Sequence, residues 1–178
     1  MKARFVILPP KSVRIFAGKI APKVAGLHAH WFVVDNRKLI PHNTLFSVQL
    51  PKAKLHSLFR QASEVLQNHK PFQLRIIGFE TDDGGWLALD IKSDKNLNRL
   101  RSDLAKKINK NGFVTKLRQP YRPHLTLTKF KQEQIAQEVK FELKPIKKEF
   151  IADSIAICLS NNFSQVTKIL KTFKLSGS

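Results

Sequence analysis

Hydrophobic and polar positions along the chain change period repeatedly, and each change marks an element. Residues 3–8, Ala-Arg-Phe-Val-Ile-Leu, read as a strand stopped by Pro9 and Pro10. Val13, Ile15 and Ala17 alternate, which predicts a second extended piece over 13–20 and a loop over 21–26. Residues 30–34 form an aromatic and β-branched run, and Asp35-Asn36-Arg37-Lys38 turns the chain. Over 39–50, His42, Thr44, Phe46 and Val48 alternate with Asn43, Leu45, Ser47 and Gln49, as on one strand. Three- and four-residue spacing then takes over: Leu55, Leu58, Phe59, Ala62, Val65 and Leu66 predict a helix over 52–68.

Alternation resumes at 71–79. Thr81-Asp82-Asp83-Gly84-Gly85 predicts a hairpin turn into a strand over 86–91. Ser93 or Asp94 can cap a second helix, whose apolar positions are Leu97, Leu100, Leu104 and Ile108 and whose stop is Asn111-Gly112. Residues 113–117 are extended, and a strand begins after Pro123. A short helix is expected over 132–140. Residues 150–160 read as a strand interrupted at Asp153-Ser154, Asn161-Asn162 turns, and 165–175 returns. Residues 176–178 read as a flexible tail. Helices alternating with hairpins predict an α+β fold, and with no Pro-, Gly- or Ser-rich linker the 178 residues form one domain.

Charge adds a partner class. Thirty-two Lys and Arg against 13 Asp and Glu give a net charge of +19, a field that attracts polyanions such as RNA. No stretch is apolar and long enough to span a bilayer, so no membrane partner is expected, and the N-terminal residues lack a secretory signal's long apolar run. A single cysteine, Cys158, sits in an apolar run and reads as a buried thiol; it suits a reducing, cytoplasmic setting. His28 and His30 share a strand face but lack Cys or acidic companions at ligand spacing, so no metal site is expected. Gly84-Gly85 lacks a phosphate-loop lysine and is a connection only.

One pattern occurs twice. Pro41-His42-Asn43-Thr44-Leu45 matches Pro123-His124-Leu125-Thr126-Leu127, each at the start of a predicted strand. Residues two apart on a strand point to one face, so each His and Thr can reach a common ligand. Histidine transfers protons near neutral pH, and threonine hydroxyls donate to phosphoryl oxygens.

With the N-terminal Arg4-Phe5-Val6 strand, the Pro71-Phe72 entry to a strand and the late strand around 154–159, these motifs resemble the two-histidine phosphoesterase superfamily, which includes bacterial RNA 2′,3′-cyclic phosphodiesterases formerly described as 2′-5′ RNA ligases. The resemblance implies two pseudo-symmetric lobes, each an antiparallel sheet with outer helices, around a central groove. It implies His42, Thr44, His124 and Thr126 as the catalytic set, with no metal or other cofactor. It further implies His124 as base for water and His42 as acid to the 3′ leaving oxygen, giving a 2′-phosphate. Asn43 stands where the family commonly has an apolar residue.

Around the second motif, Tyr121 offers a base-stacking ring, and Arg122, Arg118 and Lys129 offer charge; Phe46 lies two residues beyond Thr44. The expected ligand is RNA or a small cyclic-phosphate nucleotide, taken by a monomer with no obligate protein partner. Two other readings use the same residues: a hydrolase of another cyclic nucleotide, a 2′-5′-linked oligonucleotide or an ADP-ribose cyclic phosphate, or a catalytically weak RNA-binding protein of the same fold.

Overall fold

The computed structural model describes residues 1–177. Ten strands and four α-helices are arranged along the chain as β1 (Lys2–Ile7), α1 (Lys11–Ala25), β2 (His30–Val33), β3 (Asn43–Gln49), α2 (Leu55–Leu66), β4 (Phe72–Thr81), β5 (Trp86–Ile91), α3 (Lys95–Lys110), β6 (Val114–Lys116), β7 (His124–Phe130), α4 (Glu133–Glu142), β8 (Lys148–Ala152), β9 (Ser154–Ser160) and β10 (Val166–Lys174). A 3₁₀ turn at Lys52–Lys54 leads into α2. The strands form two five-stranded sheets of order β10-β9-β1-β3-β6 and β2-β7-β5-β4-β8, in which every pairing is antiparallel.

Taken from opposite ends, the two strand orders correspond: β3 and β7 take equivalent places, as do β1 and β5. This is the expected two-lobed α+β arrangement. The lobes are not consecutive halves of the chain, however. Helices α2 and α3 pack on the first sheet, α1 and α4 on the second. The short strand before each histidine strand joins the opposite sheet: β2 pairs with β7, and β6 pairs with β3. Each sheet therefore borrows an edge from the other's sequence neighbourhood. The interruption at Asp153 is likewise a crossing, with β8 in one sheet and β9 in the other. One apolar cluster runs from Phe5 and Leu58 to Leu89 and Phe130, tying the lobes together.

One element departs from expectation. Residues 13–20 are helical, not extended. Val13, Ala17, Ala21 and Val24 are buried at helical spacing, whereas Ile15 is 37% exposed. Over eight residues the alternation and the helical period compete, and burial of the longer stripe decides. The helix spans the loop predicted over 21–26 and ends at Gly26, whose φ of 53° is a positive value that a glycine adopts without the strain a side chain would bring. Asp94 caps α3, accepting from the backbone N–H of Asn96 and Leu97 at 2.7 and 3.2 Å. At the far end the Gly177 N–H donates to the His69 carbonyl at 3.1 Å; the last residue of the expected tail, Ser178, lies outside the described residues.

Candidate active site

Both histidine motifs make the same backbone irregularity. Phe5 pairs with Phe46 but Val6 pairs with Thr44, so Leu45 is an extra residue in β3. Leu87 pairs with Thr128 but Ala88 with Thr126, so Leu127 is the extra residue in β7. Each Pro-His-x-Thr-Leu thus ends in a β-bulge at its leucine. A bulge bends the strand and resets the parity of the residues beyond it. The two leucines are 2% and 0% exposed, so the bulges are anchored in the core while each His-x-Thr faces the groove between the sheets.

That groove has a volume of about 480 Å³ and is lined by His42, Thr44, His124 and Thr126 together. Each ring is held by its own backbone. The His42 Nδ1–H donates to the Ile40 carbonyl (2.7 Å), and the His124 Nδ1–H to that of Arg122 (2.9 Å). Occupying Nδ1 in this way selects the tautomer whose Nε2 lone pair is free for proton transfer.

The surroundings of the two rings differ. His42 is 5% exposed, and burial pushes its pKa down to about 4; the Arg4 guanidinium and His124 lower it further, against the Ile40 hydrogen bond. His124 sits at the groove mouth with the Glu80 carboxylate 3.1 Å from the same Nδ1. Burial, and then Glu80, raises the pKa of Asp90, which faces His124 across the β5–β7 pair.

The depressed pKa of His42 links to stability. Between pH 6.5 and 4 the unfolded chain binds a proton that folded His42 refuses, so acidification favours unfolding; above pH 6.5 neither state is protonated and the contribution vanishes. Wild type should therefore lose about 3 kcal/mol more unfolding free energy between pH 7 and 4 than His42→Gln. Urea titrations at the two pH values measure this, and equal losses would refute it.

Not every residue expected at the site serves as expected. Arg118 and Arg122 line the groove; Arg118 is largely exposed and lies 4.0 Å from Asp82. Tyr121 lines it too, but as a strut. Its hydroxyl donates to Asn43 Oδ1 (3.1 Å), the Arg101 guanidinium covers its ring at 4.2 Å, and burial raises its pKa. Asn43, 1% exposed, thereby gains a partner for its oxygen, while its Nδ2 has none among the described residues. Phe46 borders the groove, yet its ring stacks on Phe5 at 4.7 Å and is 2% exposed, because the bulge turns it into the core and sends Ser47 to the groove instead. Lys129 does not line the groove; its ammonium lies 4.9 Å from the centre of the Trp86 ring.

Several groove residues were not expected there from the sequence: Glu80, Trp86, Ser164 and Gln165, and Arg4, which was read only as part of the N-terminal strand. Arg101 is another, outside the groove. Its Nε donates to the bulge carbonyl of Leu45 (2.9 Å) and its Nη2 to the Arg118 carbonyl (2.8 Å), clamping the first motif to the approach of the second. The available signal was its place among Leu97, Leu100, Leu104 and Ile108, a charge on an apolar helix face.

The remaining histidines lie elsewhere. His30 Nδ1 contacts the His28 carbonyl at 2.9 Å, and His69 pairs with Asp103 at 3.3 Å. Among the described residues no group of three His, Cys, Asp or Glu is placed to hold a metal, and no helix is long and apolar enough to cross a membrane. Cys158 is buried, its pKa pushed up to about 12, which keeps it an unreactive thiol.

Residues 9–162 match the model of the 2′-5′ RNA ligase superfamily. Among solved structures, TT0787 of Thermus thermophilus superposes with a TM-score of 0.78 at 18% identity, over 99% of both chains. LigT of E. coli, solved in complex with 3′-AMP, gives 0.73 at 15% identity over 98% of both chains. The PDE domain of MHV ns2 gives 0.64 at 13% identity, over 98% of this chain and 99% of that one. At these identities the likeness is one of fold. No curated protein matches the chain in sequence.

Proposed function

The chain belongs to the 2′-5′ RNA ligase superfamily of two-histidine phosphoesterases, and from that premise we propose that it opens the terminal 2′,3′-cyclic phosphate of RNA to a 2′-phosphate by metal-independent general acid–base catalysis. The observation that carries this reading is the pair of identically bulged His-x-Thr motifs lining one groove. Water attacks phosphorus opposite the 3′-oxygen. One histidine Nε2 takes the water proton as the new P–O bond forms, and the other gives a proton to the 3′-oxygen as its bond to phosphorus breaks. The Thr44 and Thr126 hydroxyls donate to the two non-bridging oxygens, where negative charge accumulates in the transition state.

The environments of the rings favour a division of labour opposite to the one the resemblance implied. Buried His42 is neutral at pH 7, the state a base requires. His124, nearer the solvent with the Glu80 carboxylate 3.1 Å from its Nδ1, is then left as the acid. We therefore assign His42 as base and His124 as acid. A phosphodiester with a p-nitrophenolate leaving group needs no protonation and separates the roles. On it, His124→Ala should stay within about tenfold of wild type, while His42→Ala should lose about 10²-fold or more. The opposite pattern would restore His124 as the base.

A further inference from the structure

The motifs of the groove are symmetric, but the rows beside them are not. In the first sheet Arg4 pairs with Ser47, and Ser47 with Lys116, so the three form one row across β1, β3 and β6. The equivalent row of the second sheet is Trp86, Lys129 and Phe32. One side therefore lines the groove with cations, where the other offers it the Trp86 ring. Lys2, two residues before Arg4 on the same face, joins the cationic side, and all four of its residues line the groove.

Arg4 is the unusual member. It is 9% exposed, and among the described residues its Nε and Nη2 donate only to the hydroxyls of Ser160 and Ser164. Among the described residues no carboxylate lies within 4.0 Å of Lys2, Arg4 or Lys116. The cations crowd one another: the pKa of Lys2 is lowered first by Arg4, then by burial and by Lys116. A desolvated guanidinium without a counter-ion is unfavourable unless an anion joins it, and the open side of this one is the groove.

The row lies a two-residue step along β1 from the residue that pairs with Thr44, about 7 Å by strand rise. That is the reach of one sugar–phosphate link from a phosphate held between the histidines. Resting on the function proposed above, we infer that Lys2, Arg4, Ser47 and Lys116 form a second-phosphate subsite that holds the phosphodiester joining the terminal nucleotide to the one before it. The substrate is then the end of an RNA chain rather than a free nucleoside cyclic phosphate.

The test compares kcat/KM for three substrates: a nucleoside 2′,3′-cyclic phosphate, the same with a 5′-phosphate, and a tetranucleotide ending in the cyclic phosphate. Lys2 and Lys116 are exposed, so alanine at both leaves the core intact. Wild type should prefer the tetranucleotide to the bare nucleoside by about 30-fold or more, and Lys2→Ala/Lys116→Ala should erase most of that preference. An unchanged preference in the variant, or a 5′-phosphorylated mononucleotide used no better than the bare nucleoside, would overturn the inference. A second arm needs no turnover: calorimetric affinity for a tetranucleotide 2′-phosphate against a nucleoside 2′-phosphate. Absence of turnover on every substrate would end the hydrolase reading alone. Equal affinities in this arm would end the subsite.

Discussion

Replacing either His42 or His124 by alanine is expected to lower kcat on cyclic-phosphate-ended RNA by about 10²–10⁴-fold, the range in which general acids and bases contribute. The two changes should not add. Once one proton transfer is lost, the remaining ring cannot complete a concerted displacement, so the double variant should fall within about tenfold of the worse single variant. The His42 change carries a structural side effect, because the half-buried Ile40 carbonyl loses the Nδ1–H that it accepts at 2.7 Å. His42→Asn keeps a donor near that carbonyl without a titratable ring. It should fold closer to wild type than the alanine variant and remain as inactive. Rapid-quench rates with circular dichroism of each variant check this; a folded His42→Asn with wild-type rate would refute the role.

The second large effect is expected at Arg101, which never touches the reacting phosphate. It is 7% exposed and joins the Leu45 bulge, the Arg118 carbonyl and the Tyr121 ring. Arg101→Met preserves the aliphatic stem but strands a buried carbonyl and uncovers the ring, which should cost about 3 kcal/mol of stability. The loop from Arg118 to Arg122 should shift as well, and with it the Arg122 carbonyl that orients His124. Misplacement of a catalytic group by about 1 Å costs on the order of 10²-fold in rate. Measured well below the melting temperature, kcat should fall by about that factor. Arg101→Lys restores the charge without the two-pronged donor and should recover little. A destabilised variant with unaltered kcat would leave Arg101 a purely structural residue.

Much of this site is legible in the sequence because its chemistry is local. A His and a Thr two residues apart, repeated with the same flanking Pro and Leu, need only strand parity to be placed on one face. The features beyond that reach depend on partners. Nothing within Thr44-Leu45-Phe46 announces that Leu45 is an extra residue. The bulge exists in the register against β1, and through it Phe46 goes to the core and Ser47 to the groove. The same dependence hides Arg4, which sits in a run that reads as an ordinary apolar strand. It also hides the exchange of β2 and β6, since each pairs far along the chain. Tyr121 does stand at the groove, but as a strut rather than a stacking platform, because its partners Asn43 and Arg101 come from other elements. Helix α1 departs from the sequence pattern for a different reason: eight residues are too few to separate a two-residue period from a 3.6-residue one.

In the proposed reaction a cyclic phosphodiester is opened between His42 and His124. Phosphorus NMR of a short RNA ending in a 2′,3′-cyclic phosphate, monitored in the presence of EDTA, tests it most directly. The strained cyclic resonance should disappear and a single 2′-phosphomonoester resonance replace it at the same integrated intensity. The change should be absent with folded His42→Asn. A cyclic resonance that persists with the wild-type protein would show that the ring is not opened, and one that converts equally fast with the variant would show that His42 does not open it.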